Sequence, residues 1–204
     1  GWHPKGDREV LTLKEIIEEF ELDDLEVRPT VLNLKKLIWL NKVHLKRKPA
    51  DEIVRTIKED KYFEDLRKYL NLPQYSLDKI YKIVELGKER AQTIREIFTT
   101  VNFFFEDFDY SPQLLIWKGY TLDQIKQSLL KTREVLVNIP EENFQPEYLK
   151  TALDSLSEDK GYVYWPLRVS LTGLEASPPP LDIMAIIGKK QTLKFIDKAL
   201  EKLS

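Results

Sequence analysis

The segment that is most informative about the fold runs from Gly161 to Leu200 and reads GYVYWPLRVSLTGLEASPPPLDIMAIIGKKQTLKFIDKAL. It begins with aromatic residues around a Pro-Leu-Arg triplet and passes through Thr-Gly to three consecutive prolines. Pro166 argues against a strand, and the later prolines suit the stiff entry to a helix. The segment therefore predicts a short apolar helix, a glycine and then a basic amphipathic helix.

Outward from this segment, apolar residues recur at helical spacing through almost the whole chain. Thr12 with Glu15, and Thr121 with Gln124, have the spacing of capping boxes, and Asn33 is a further helix cap. Convincing alternation of apolar and polar residues is missing, and no repeat of 20 to 50 residues is visible. The sequence predicts an all-α fold made of short helices.

The composition excludes several kinds of site. The 204 residues are 42% hydrophobic and 32% charged, which suits a folded protein with a sizeable core. There are 7 glycines, 2 histidines and no cysteine, so Gly-rich nucleotide loops, thiolate metal sites and histidine triads have little basis. We nominate no catalytic residue and no metal ligand.

The chain shows no sign of a membrane or secretory segment. No apolar run approaches the roughly 18 residues that span a bilayer, and no signal peptide is visible in the given sequence. The chain begins with Gly1, and its single methionine is Met184. We therefore expect the chain to be a piece of a longer protein.

The net charge is only −2, but the charges are unevenly distributed. The run KKLIWLNKVHLKRK, from Lys35 to Lys48, contains six basic residues and no acid, and an acidic segment precedes it. Such a run attracts phosphates without making the whole protein basic. A solvated helix face is the alternative interpretation.

Several residues have both a structural and a functional interpretation. Trp165 either packs in the core or stacks on an unpaired base. Arg168 either pairs with an acid or bonds a base edge or phosphate with its planar fork. Arg90 is either a solvated side chain or a base-reading one. The helix N-terminus that Ser177 fronts suits an anion. These alternatives stay open on physical grounds.

Four blocks of the sequence resemble, in the same order, successive blocks of bacterial-type glutamyl-tRNA synthetase. They are GWHPKGDREVLTLKEIIEEFELDDL, PTVLNLKKLIWLN, VELGKERAQTIREI and WPLRVSLTGLEASPPPLDIMAIIGKKQTL. That family is a class I synthetase, which joins glutamate to its tRNA using ATP and magnesium. Its His-x-Gly-His-type motif and its Lys-Met-Ser-Lys-Ser-type loop are missing from this sequence. The resemblance thus implies the C-terminal, tRNA-binding part, with ATP and magnesium bound by a separate N-terminal catalytic domain.

The resemblance also implies a division into three parts. Residues 1–48 would be a stem-contact region, and residues 49–106 and 107–204 would be two helical anticodon-binding domains. Arg90 falls where the family reads the third anticodon base, which is cytosine in glutamate tRNAs and guanine in glutamine tRNAs. The pocket for the first two bases would be lined by Trp165, Arg168, Ser177, Pro178 and Pro180. Backbone contacts to the tRNA would come from Lys35, Lys36, Lys46, Arg47 and Lys48.

The expected partners are tRNA(Glu) and the catalytic domain of the same enzyme, in a cytoplasmic monomer with no membrane contact. Two other functions compete with this expectation. One is a helical protein–protein interaction module that uses the aromatic segment from Asn102 to Gln113 and the basic helices. The other is a helical hydrolase, which is disfavoured because no nucleophile–base pair or metal set can be nominated.

Overall fold

A computed structural model of the chain describes residues 2–4, 6–25 and 31–203. These residues form eleven α-helices with short 3-10 turns and no strand, which confirms the all-α prediction. Residues 1, 5, 26–30 and 204 of the predicted three parts lie outside the described residues. The helices are α1 (Leu13–Glu19), α2 (Leu34–Arg47), α3 (Ala50–Glu59), α4 (Arg67–Leu70), α5 (Leu77–Lys88), α6 (Ile94–Thr100), α7 (Leu122–Asn138), α8 (Pro146–Asp154), α9 (Lys160–Thr172), α10 (Pro180–Ile187) and α11 (Lys189–Lys202).

The predicted capping residues begin their helices. The Thr12 hydroxyl accepts from the backbone N–H of Glu15, whose carboxylate accepts from the N–H of Thr12 at 2.7 Å. Thr121 and Gln124 form the same reciprocal pair at the start of α7. Asn33 accepts from the N–H of Lys36 at 3.1 Å and so caps α2. Each cap satisfies backbone donors that the first helical turn leaves without partners.

The helices enclose two hydrophobic cores. One core is built mainly from α3, α5 and α6, and the other mainly from α7 to α11. Phe105 packs against both, inside the aromatic segment from Asn102 to Gln113. The boundaries at residues 48 and 106 stay predictions. No helix in the described ranges is long and apolar enough to cross a membrane.

Helices α1 and α2 keep much of their apolar surface exposed. Leu13 and Ile17 on α1 are 72% and 69% exposed, and Leu34 and Leu37 on α2 are 62% and 50% exposed. The periodic spacing of these residues therefore predicts the helices correctly. Within the described residues, however, these side chains stay in contact with solvent.

Helix α9 contains Pro166, and a neighbouring helix compensates for the hydrogen bond that this proline removes. Proline has no N–H, so the carbonyl of Tyr162 lacks its normal partner one turn later. The hydroxyl of Ser128 on α7 donates to this carbonyl at 2.7 Å, and Ser128 is 2% exposed. This contact satisfies the carbonyl and ties α7 to α9.

We expect Ser128→Ala to destabilise the protein by about 1–3 kcal/mol, because it leaves the carbonyl of the half-buried Tyr162 without a donor. Thr151→Ala is the matched control, since the exposed Thr151 hydroxyl also donates to a helix carbonyl, at 3.0 Å from Glu147 O. Urea unfolding of the two variants and of the unaltered chain measures the free energy of unfolding of each protein. Equal losses of unfolding free energy in both variants would contradict the role given to Ser128.

Gly87 permits a close approach between α5 and α6. A Cβ atom at Gly87 would lie 2.8 Å from Ile97 Cγ2 and 3.1 Å from Ile97 O. The backbone oxygen cannot swing away as a side chain can. Alanine's higher helix propensity, worth about 1 kcal/mol, opposes this steric cost.

We expect Gly87→Ala to lower the free energy of unfolding by a net ~1–2 kcal/mol, because overpacking outweighs the gain in helix propensity. Lys82→Ala on the exposed side of the same helix serves as the control in thermal unfolding. A Gly87→Ala protein as stable as the unaltered chain would show that α6 moves away at no cost.

Candidate nucleic-acid interface

Two arginines from different parts of the chain come close together. Arg168 lies on α9, and its Nη1 donates to the carbonyl of Ser177 at 2.9 Å. Burial first, and then the positive charge of Arg90, lower the pKa of the Arg168 guanidinium. Arginine side chains in general carry a positive charge near neutral pH. The fold therefore concentrates positive charge around the α5–α6 turn and α9.

Arg90 lies in the turn between α5 and α6. The backbone N–H groups of Arg90 and Ala91 both donate to the carbonyl of Gly87, each at 3.2 Å. Helix α6 then begins at Ile94, capped by the Thr93 hydroxyl. Hydrogen bonds thus order the turn at its start, through Gly87, and at its end, through Thr93. The Arg90 side chain itself is exposed. An exposed cation on an ordered turn suits recognition of an anionic or base-edge group.

The loop between α9 and α10 is ordered by its own backbone. Gly173 ends α9 with φ of 69°, a left-handed conformation that glycine adopts without steric cost. The Ser177 hydroxyl donates to the carbonyl of Pro178 at 2.9 Å. Pro179 is the N-cap of α10 and Pro180 its first residue, so Ser177 does not cap this helix.

Three of the predicted pocket residues face the protein interior. Ser177, Pro178 and Pro180 are buried, whereas Glu175, Ala176 and Pro179 are exposed. The buried residues therefore anchor the loop to the protein interior, and their exposed neighbours form its solvent-facing surface. Their assignment to an anticodon pocket stays a prediction.

Trp165 is half-buried and engaged in packing. Its indole N–H donates to the carbonyl of Leu114 at 2.9 Å, and its ring lies 5.2 Å from that of Trp117. Gly161 permits this packing, since a Cβ there would lie 2.0 Å from the Trp117 ring. The structure uses the indole N–H internally, and base stacking by Trp165 stays a prediction.

The basic residues of α2 are mostly exposed, and several are paired with acids. Lys36 pairs with Glu9 and Lys46 with Glu89, each at 2.7 Å, and Lys48 pairs with Glu52 at 3.2 Å. Exposed pairs of this kind are worth about 0–1 kcal/mol, so a phosphate group can replace the carboxylate. Lys35 and Arg47 are also exposed. Because Glu89 adjoins Arg90, the basic helix and the Arg90 turn share one surface.

Sequence reasoning missed one ionic group near this surface. Lys88 is only 5% exposed and lies two residues before Arg90. It follows Ile80 and Val84 at helical spacing, on the buried face of α5. This spacing in the sequence indicates a buried lysine, and a lysine on an apolar face requires a buried partner.

The described ranges contain no group of three or more His, Cys, Asp or Glu residues arranged to hold a metal ion. The two arginines and the basic helix are therefore the charged features that stand out in this part of the molecule. Arginine and lysine side chains of this kind bind phosphates and base edges.

Comparisons with known proteins agree with this chemistry. The glutamate–tRNA ligase of Clostridium botulinum strain Loch Maree is 32% identical over 215 residues, which cover 100% of this chain and 41% of that protein. The glutamate–tRNA ligase of Moorella thermoacetica is 28% identical, covering 98% of this chain and 41% of its own length. The chain thus spans about two fifths of the length of these relatives.

A solved structure gives the same match in three dimensions. The crystal structure of a glutamate tRNA ligase from Elizabethkingia meningosepticum, in complex with its amino acid, superimposes with a TM-score of 0.80 at 27% identity. The match covers 100% of this chain and 39% of that protein. A family model described as an anticodon binding domain matches residues 61–200, well over half of the chain. The chain therefore belongs to the anticodon binding domain family.

Proposed function

We propose that this chain binds the anticodon arm of tRNA(Glu) as the C-terminal, tRNA-binding part of a glutamate–tRNA ligase. The activity of such an enzyme is ATP-dependent joining of glutamate to its tRNA. In this proposal ATP and magnesium bind to a catalytic domain outside the chain, and the chain itself supplies recognition of the RNA.

The match of residues 61–200 to an anticodon binding domain carries the proposal, and the positive charge that Arg90 and Arg168 bring to one region supports it. Arg90, in the turn between α5 and α6, and Arg168, on α9, are like charges that repel, and an anionic or acceptor-rich partner would relieve that repulsion. An anticodon loop presents phosphates together with unstacked bases, whose edges accept hydrogen bonds from arginine. In the proposal, Arg90 reads the third anticodon base and Arg168 supports the first two.

The ordered loop after α9 supports the same function. Pro178 and Pro180 restrict the backbone, and the bond from Arg168 to Ser177 O ties the loop to α9. A loop that is ordered before binding loses less conformational entropy when RNA arrives. We place Ser177, Pro178 and Pro180 beneath the base pocket and Trp165 at its edge.

Helix α2 is the proposed contact with the RNA backbone. Lys35 and Arg47 are exposed, and Lys36, Lys46 and Lys48 hold carboxylates that a phosphate can displace. Contacts of this kind add affinity without sequence information. The exposed apolar residues of α1 and α2 support docking of this region against the catalytic domain of the same enzyme. The proposal takes that enzyme to be a cytoplasmic monomer.

The test is titration of the 204-residue chain with two RNA stem-loops at one stated salt concentration, since phosphate contacts make affinity salt-dependent. One RNA carries the tRNA(Glu) anticodon, and the other has the same stem with an all-uridine loop. We expect at least about tenfold tighter binding of the first, the equivalent of one good base contact. Equal binding would favour an interaction module without anticodon specificity. ATP-dependent charging of tRNA by the pure chain would refute the assignment of chemistry to a separate domain.

A further inference from the structure

A buried lysine lies beside the turn that carries Arg90. Lys88 is 5% exposed, and within residues 2–4, 6–25 and 31–203 it is the one charged side chain in the buried class. Burying an ammonium group is costly unless it is paired and hydrogen-bonded. An apolar residue would fill this position on the buried face of α5 without that cost. The lysine therefore calls for an explanation beyond packing.

The contacts of Lys88 join α5 to the corner between α2 and α3. Its Nζ donates to the carbonyl of Lys48 at 3.0 Å and pairs with Glu85 Oε2 at 2.6 Å. The other carboxylate oxygen of Glu85 accepts from the N–H of Ala50 at 3.1 Å. Lys48 is the C-cap of α2, and Ala50 is the first residue of α3. The last turn of α5 is thus fastened to this corner.

A second contact fastens the opposite side of the turn to the same helix. The side-chain amide of Asn41, on α2, donates to the carbonyl of Gln92. Arg90 lies midway between Lys88 and Gln92 along the chain. The ion pair of Lys46 with Glu89 adds a third contact, but it is exposed and contributes little.

We propose that Lys88 and Asn41 are positioning residues for Arg90, which hold residues 88–92 against α2 and so fix the guanidinium for reading the third anticodon base. The inference rests on the proposed function and adds to it. Base reading depends on geometry, because a guanidinium distinguishes bases only when its donors meet the base edge in fixed positions. A turn released from α2 would still carry the charge of Arg90 but not its orientation.

The first measurement needs no RNA. Hydrogen–deuterium exchange of the Arg90 and Ala91 amides, both bonded to Gly87 O, reports how firmly the turn is held. Lys88→Met and Asn41→Ala should each speed this exchange. Lys82→Met is the matched control, because Lys82 lies on the same helix and pairs with Asp78 at 2.9 Å on the exposed side. It should leave the exchange of both amides unchanged.

The second measurement compares two RNA stem-loops that differ only in cytosine or guanine at the third anticodon position. Lys88→Met and Asn41→Ala should reduce the ratio of the two dissociation constants by about fivefold or more. The salt dependence of binding should stay unchanged, since neither side chain is assigned to a phosphate. A lysine that only stabilised the fold would weaken binding of both RNAs equally.

The outcomes separate this inference from the proposed function. If Lys88→Met fails to fold, Asn41→Ala decides, because the Asn41 side chain is exposed and its loss leaves no buried defect. Unchanged amide exchange, or faster exchange with an unchanged ratio, would overturn the positioning role. Equal binding of both RNAs by the unaltered chain would instead overturn the proposed reading by Arg90.

Discussion

Arg90→Gln should remove most of the preference for cytosine over guanine at the third anticodon position. A correctly placed arginine contact is worth about 1–3 kcal/mol of base discrimination, so the ratio of dissociation constants should fall by roughly 5- to 150-fold. Glutamine is shorter and uncharged, and it cannot reproduce the donor fork of a guanidinium. Most of the lost affinity should appear with the cytosine-containing RNA.

The measurement is a titration of both RNAs with each variant at one salt concentration. Arg55→Gln is the control, because Arg55 is an exposed arginine on α3 of the same helical unit. It should change both dissociation constants alike and leave their ratio unchanged. A ratio that survives Arg90→Gln would show that another residue reads the third base.

Arg168→Met should have a different signature, a loss of affinity for all anticodon loops together. The substitution removes a positive charge and the hydrogen bond that ties Ser177 O to α9. We expect binding to weaken about tenfold or more, because an untethered loop must be ordered by the RNA. The loss of one positive charge beside the RNA should also reduce the slope of log K against log salt.

Arg168→Lys separates the two contributions of this side chain. Lysine keeps the charge but lacks the planar fork, so the salt slope should be retained while part of the affinity is lost. Thermal unfolding of each variant checks that the protein remains folded. If Arg168→Met bound both RNAs as tightly as the unaltered chain, Arg168 would lie outside the interface.

The sequence predicted the helices well where local signals exist. Thr12 with Glu15 and Thr121 with Gln124 begin their helices as predicted, since a capping box involves only residues three apart. The compensation of Pro166 by Ser128 was not predictable in this way. It joins two helices that are distant in sequence, so it depends on how α7 and α9 pack.

The candidate site was predictable only in part. The sequence blocks point to Arg90 and Arg168, but their proximity depends on the packing of α5 against α10, the helix that follows α9. The consecutive prolines predict a rigid loop, yet no local pattern indicates that Ser177 and Pro178 face inward. The helical spacing of Lys88 on the apolar face of α5 was a signal that the sequence did contain.

The most direct test of the account is the ratio of two dissociation constants, measured on the unaltered 204-residue chain at fixed salt. One stem-loop carries the tRNA(Glu) anticodon, and the other differs only by guanine at the third position. The account predicts that the first binds more tightly, by at least about fivefold, through the base contact of Arg90. Equal affinities would contradict anticodon reading by this surface and leave only a charged surface that binds RNA without regard to sequence.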